Sequence, residues 1–129
     1  MTRLFVYGSL RQGAGHEMGA LLASQSRFLG EAFVPGRIYD LGEFPGMKDP
    51  ASPGEEVRGE VYELEEALLW RLDEYEGCGP ADPQPSAFAR CRRMARLAAD
   101  GSAIEVWVYL YQPEADEQRI IPSGDYLKR

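Results

Sequence analysis

The sequence predicts an α+β fold, a barrel-like mixed sheet with short helices rather than a doubly wound parallel sheet. Three observations support this. Strand-like and helix-like segments do not alternate regularly, as βαβ units would require. The only long amphipathic pattern, "EEALLWRLDEYEG", sits alone in mid-chain. Near the C-terminus Asp100 and Gly101 divide two strand-like runs, the signature of a β-hairpin.

In chain order, "RLFVYG" is rich in β-branched and aromatic residues and reads as a buried strand that ends at Gly8. "SLRQGAG" is the loop after it. Met18, Leu21 and Leu22 recur at helical spacing and predict a short helix, weakened by Gly19. From Phe28 to Leu41 apolar and small residues alternate, predicting one or two strands broken at Pro35 and Gly36. Phe44 to Glu56 carries prolines and glycines throughout and is expected to be one long irregular connection of the kind that often serves function. "VRGEVYEL" reads as a strand, and "EEALLWRLDEYEG" as a helix of about three turns. "CGPADPQPS" is a loop. In the hairpin the second arm, Ile104 to Tyr111, is almost wholly apolar and should be central in the sheet. The tail "IIPSGDYLKR" is expected to be ordered only where Ile120 and Ile121 dock.

A chain of 129 residues fits one domain over residues 1–129. No apolar run approaches the ~18 residues of a membrane span, and "MTRLFVYGSL" is too short an apolar stretch for a signal peptide. A cytoplasmic protein without membrane contact is expected, with a monomer as the default state. The net charge of −7 repels phosphate backbones, so nucleic acid is not an expected partner. "RCRRMAR", with Arg90, Arg92, Arg93 and Arg96, is the one basic run, and it reads first as a solvated strand face. Cys78 and Cys91 are expected to be free thiols. With His16 the sole histidine, no zinc-finger or H-E-x-x-H site can be assembled, and neither a metal nor another cofactor is expected.

The glycines after the first strand fail both phosphate-loop tests. Gly13 is followed by Ala14 rather than the Lys and Ser/Thr of a P-loop, and Gly13, Gly15 and Gly19 are spaced one residue too far apart for a dinucleotide fingerprint. "YGSLRQG" is either a plain tight turn at Gly8 or a nest of backbone N–H groups that holds an anion or a developing oxyanion. Ser9 lacks the G-x-S-x-G setting of an activated nucleophile. The stronger candidate is a carboxylate in "RLDEYEG". At 100° per residue, Glu76 lies about 30° from the apolar direction of Leu68, Leu69 and Leu72, while Asp73 falls at its boundary and Glu74 points away. Gly77 suits the left-handed position past the helix C-terminus. Glu76 therefore either rims the helix end in water or faces an apolar interior. Facing inward, burial and the negative helix end would raise its pKa toward the range of a general acid/base.

The pair "FVYGSLRQG" and "LDEYEG", the latter after a "GEVY" strand, resembles the gamma-glutamylcyclotransferase-like family. "FAR" at Phe88 to Arg90, "VWVYLY" and the closing "IPSGDY" continue the match in the family's order, so the likeness covers nearly the whole chain. It implies a small mixed β-barrel flanked by helices and a metal-independent enzyme. That enzyme would cyclise a small-molecule γ-glutamyl amine or peptide to 5-oxoproline, with release of an amine or amino acid. By resemblance Tyr7, Gly8, Ser9 and Leu10 bind substrate and Glu76 is the catalytic acid/base. Asp73 and Glu74 become ordinary solvated helix residues. Arg90, from the basic strand, is the expected partner of the substrate α-carboxylate. Two positions depart from the family's usual pattern and bear on substrate choice: Phe88 stands where Tyr is frequent, and Gly15–His16 where Asn–His is. The rival readings are a binding or regulatory module with the same pocket but no turnover, and an adaptor that uses the Arg90 to Arg96 face.

Overall fold

The computed structural model describes residues 2–8, 10–11, 17–79 and 86–129. Its elements are β1 (Thr2–Val6), α1 (Glu17–Gln25), β2 (Arg27–Pro35), β3 (Arg37–Asp40), β4 (Pro45–Lys48), β5 (Glu56–Leu64), α2 (Glu66–Tyr75), β6 (Phe88–Leu97) and β7 (Ala103–Tyr111). Two single-turn 3₁₀ helices, Glu117–Arg119 and Tyr126–Lys128, follow.

The sheet runs β1-β5-β2-β6-β7 and closes on itself where β1 pairs in parallel with β7 at Leu4 and Trp107. Closure leaves this five-stranded barrel without open edges. Beyond the closure β1 leaves β7, and β4 takes over the same edge with Met47 opposite Leu110. β3 then pairs with β4. The fork between β1 and β4 is where the chain opens a site.

Side-chain alternation explains why β1 and β7 read as continuous apolar runs. Phe5 and Tyr7 join the barrel interior with Val106, Val108 and Leu110. Their neighbours Leu4, Val6 and Tyr109 face the other way, against Leu22 of α1 and Leu68, Leu69 and Leu72 of α2. Both faces of these strands are buried, so neither needs polar residues.

Three expectations change. The connection from Phe44 to Glu56 is not irregular throughout, because β4 lies within it. The tail is more tightly held than expected: Ile121 docks through its N–H on the Ile38 carbonyl, but Gly124 also accepts a hydrogen bond from Arg58 N–H, and Asp125 is buried. The basic run is not one face either. Alternation along β6 sets Arg93 opposite Arg90, Arg92 and Arg96, and the four pair with Asp49, Asp73, Glu105 and Glu56 respectively. Among the described residues no helix is long and apolar enough to cross a membrane.

Candidate active site

A pocket of about 380 Å³ opens at the fork between β1 and β4, under the C-terminal end of α2. It is lined by Phe5, Val6 and Tyr109 from the barrel strands, by Gly8 and Leu10 after β1, and by Tyr75 and Glu76 at the end of α2. Phe44 and Phe88, edge to face at 5.7 Å, form an apolar wall.

Helix termination places Glu76. Leu68, Leu69 and Leu72 press α2 onto the barrel, and the helix ends in a Schellman arrangement: Gly77 N–H donates to the Glu74 carbonyl at 3.1 Å and Cys78 N–H to that of Asp73 at 3.0 Å. Gly77 has φ +76°, the left-handed conformation that lets the chain turn away. Glu76, the last residue before that turn, is partly buried and lines the pocket. Its carboxylate makes no hydrogen bond or ion pair with another described residue. Burial, and secondarily the charge of Asp73, push its pKa up to about 7.

Asp73 corrects the sequence reading. It is 8% exposed, not solvated. Arg90 grips it with both Nε (2.7 Å) and Nη2 (3.0 Å), and the Tyr109 hydroxyl donates to it at 2.7 Å. Arg90 is thus already engaged, stacked over Trp107 at 4.3 Å, and it does not line the pocket. Its expected contact with a substrate carboxylate is not what this geometry offers. Register explains the difference: Arg90 lies opposite Tyr109 in the β6–β7 ladder, on the outer face that meets α2.

Tyr7 closes the fork. Its hydroxyl donates to the Tyr109 carbonyl at 2.5 Å and accepts from Met47 N–H at 3.3 Å, satisfying backbone groups of β7 and β4 where β1 has departed. Burial, reinforced by the charge of Glu76, holds this phenol well above its ordinary pKa, so it stays neutral. Gly8 packs against Pro45 so closely that a Cβ would stand 2.5 Å from the ring. Arg11 N–H donates to the Gly8 carbonyl at 3.0 Å, which ties Arg11 back to Gly8. The N–H groups of Gly8 and Leu10 donate to no other described residue. Ser9, the remaining member of the expected cradle, lies outside the described residues, as does His16.

The structure therefore brings Tyr7, Gly8, Leu10 and Glu76 to one pocket and leaves Arg90 outside it. Tyr109 was missed from sequence, although it ties the halves together: its carbonyl holds Tyr7 and its hydroxyl holds Asp73. A tyrosine inside an otherwise apolar strand was the available signal, since a buried phenol needs a partner. Among the described residues no group of three or more His, Cys, Asp or Glu is placed to hold a metal.

Residues 4–128 match the family model of gamma-glutamyl cyclotransferase, AIG2-like proteins. The chain belongs to this family. Gamma-glutamylcyclotransferase family protein YtfP of Escherichia coli (strain K12) is 36% identical over 131 residues, covering 98% of this chain and 97% of the relative. Gamma-glutamylaminecyclotransferase of Bos taurus is 32% identical over 123 residues, covering 88% of this chain and 70% of its own length. The crystal structure of an AIG2-like protein from Mus musculus superposes with a TM-score of 0.73 at 26% identity, over 91% of this chain and 81% of that one. The barrel with two short helices is thus the AIG2-like fold, and the fork pocket is this member's candidate site.

Proposed function

We propose that this protein is a gamma-glutamylcyclotransferase that converts a γ-glutamyl amine or γ-glutamyl peptide to 5-oxoproline and releases an amine or amino acid. The observation that carries the reading is the carboxylate of Glu76. It is unpaired among the described residues, has its pKa pushed up to about 7, and belongs to a pocket that Gly8 and Leu10 also line, with N–H groups that donate to no other described residue.

The reaction needs little else. The substrate's α-amino nitrogen attacks its own γ-carbonyl carbon, so the nucleophile arrives tethered and much of the entropic cost of encounter is absent. An α-ammonium group has a pKa near ~8, so a base must first take its proton. Ionised Glu76 does this. The new C–N bond forms, the carbonyl oxygen becomes an oxyanion, and the Gly8 and Leu10 N–H groups stabilise it. The bond to the leaving nitrogen then breaks as Glu76 returns the proton to it, since an amine leaves poorly as an anion, and the ring nitrogen gives up its second ammonium proton to water or the released amine to leave the neutral lactam. A carboxyl group titrating near neutrality serves both steps. The described lining contains no Lys or Arg, and neither do the undescribed residues, so the substrate α-carboxylate falls to backbone donors of the same loop.

The test is incubation with a panel of γ-glutamyl amines, γ-glutamyl dipeptides and glutathione while 5-oxoproline is measured. Turnover by the natural chain and its loss in Glu76→Gln are expected. Full activity in Glu76→Gln would remove Glu76 from the mechanism, and tight binding without 5-oxoproline would make the pocket a binding module.

A further inference from the structure

Among the described residues Arg11 is the one buried cation, and it lies outside the pocket. It follows the proposed cradle directly, and its N–H is tied back to the Gly8 carbonyl. Its Nε reaches Glu60 at 3.3 Å and its Nη1 reaches Asp125 at 2.7 Å. Glu60 also accepts from the Tyr62 hydroxyl at 3.3 Å. Arg11, Glu60 and Asp125 are each about 95% withdrawn from water, at 4%, 5% and 4% exposure.

Burying three formal charges is an expensive way to stabilise a fold, because desolvation offsets much of the attraction and apolar residues of the same volume often do as well. The cluster does provide fixed geometry. A guanidinium fork that spans two carboxylates is held in direction as well as in place. The two acids come from separate parts of the molecule. Glu60 lies opposite Val6 in the β1–β5 ladder, two residues before Gly8. Asp125 comes from the closing tail, which is itself anchored: Gly124 accepts from Arg58 N–H at 2.8 Å, and a Cβ at Gly124, where φ is +71°, would stand 2.2 Å from the Glu56 carbonyl oxygen. Asp125 also takes Leu127 N–H at 3.0 Å.

We propose that Arg11, Glu60 and Asp125 are positioning residues that aim the Gly8 and Leu10 N–H groups at the reacting carbonyl oxygen. The tail around Gly124 and Asp125 thereby becomes part of the active-site machinery without touching substrate. This rests on the loop's role in the proposed cyclisation. It accounts for two features left over from that role: a buried arginine at the loop's end, and a tail far better held than two docked isoleucines require.

The experiment compares full-length Asp125→Asn, Arg11→Met, Arg11→Lys and the double variant Arg11→Met/Asp125→Asn. Urea midpoints establish that each is folded under assay conditions. Asp125→Asn keeps its volume and one acceptor oxygen, so it serves if Arg11→Met fails to fold. Misaimed oxyanion donors cost the transition state, so kcat should fall by about 100-fold in Asp125→Asn while KM changes little. The double variant should lose no more than Arg11→Met alone, and Arg11→Lys should recover part of the loss. Amide exchange at Arg11, whose N–H is held by the Gly8 carbonyl, should accelerate in Asp125→Asn while β5 and β7 keep their protection. Unchanged kcat with unchanged loop exchange would overturn the proposal. So would acceleration spread across the whole barrel, which would mark a general stabilising role. If the natural chain makes no 5-oxoproline from any substrate, the cyclisation reading fails, and the exchange pattern alone decides whether the tail holds the loop.

Discussion

Asp73 and Glu76 stand about one helical turn apart at the end of α2, and the structure treats them oppositely. Asp73 receives three hydrogen bonds, two from Arg90 and one from Tyr109, whereas the Glu76 carboxylate receives none from a described residue. Satisfying one acid lets it stay charged in a buried place, and that charge then raises the pKa of its unsatisfied neighbour. The difference separates an anchor from a candidate reagent on one helix end: Asp73 fixes α2 to β6 and β7, and the Glu76 carboxylate makes no hydrogen bond to a described residue, as the proposed proton-carrying role requires.

The largest effect that tests this contrast comes from Glu76→Gln. Loss of the proton carrier should lower kcat by about 1,000-fold, within the usual range for a general acid/base. Stability should move the other way. The folded-state pKa of Glu76 is raised from 4.5 to about 7, so the protein loses stability as pH climbs between those values and the buried carboxyl ionises. At 1.36 kcal/mol per unit, and allowing for partial exposure, Glu76→Gln should gain about 1–3 kcal/mol at pH 8 and nothing at pH 4. Urea unfolding at the two pH values checks it; an equal effect at both would mean Glu76 is not held in a desolvated place.

Asp73→Asn attacks the other half. Arg90 loses its carboxylate in a largely buried setting, so stability should fall by about 2–3 kcal/mol in urea unfolding. The negative charge beside Glu76 also disappears, which lowers the Glu76 pKa, although burial, the larger cause, still keeps it above an ordinary glutamate. Base catalysis requires ionised Glu76, so the rising limb of the kcat/KM profile should move from near 7 to lower pH. A limb that stays in place would mean Asp73 acts on Glu76 through position alone.

Tyr109→Phe makes a smaller, more selective break. It deletes the hydroxyl that donates to Asp73 but keeps the carbonyl that accepts from Tyr7. Asp73 retains Arg90, so the cost should be about 1 kcal/mol in urea unfolding. The fork between β1 and β4 should keep its structure, seen as unchanged amide protection at Met47.

Glu76 and the β1 loop were legible in the sequence because both follow from short-range pattern: helical phase for one, a strand that runs into glycine for the other. Asp73 was not. Its phase put it about 90° from the apolar direction, where periodicity does not choose between water and interior. Its state depends on Arg90 and Tyr109, 17 and 36 positions away. β4 was hidden for a local reason, since it begins at Pro45, a residue that donates no ladder hydrogen bond and reads as a strand breaker. Arg11 and Asp125 meet across 114 positions, and no local signal in either segment points to the other. The barrel was readable from element order; which polar groups it would pair was not.

The gentlest break is Gly77→Ala. An alanine must enter the left-handed conformation that Gly77 holds at φ +76°, at a cost of about 1 kcal/mol, and no described atom lies within 4 Å of where its Cβ would be. The strain is therefore conformational rather than a clash, and it falls on the Schellman turn next to Glu76. If that turn is what sets Glu76 over the pocket while Asp73 stays clamped, Gly77→Ala should lower kcat several-fold and leave the Asp73 contacts with Arg90 and Tyr109 intact. Unfolding gives the stability cost, and the pH profile gives the state of the pair. A kcat loss with an unshifted limb near 7 places the damage in Glu76's aim, while a shifted limb would show that the turn also controls how far Glu76 is withdrawn from water.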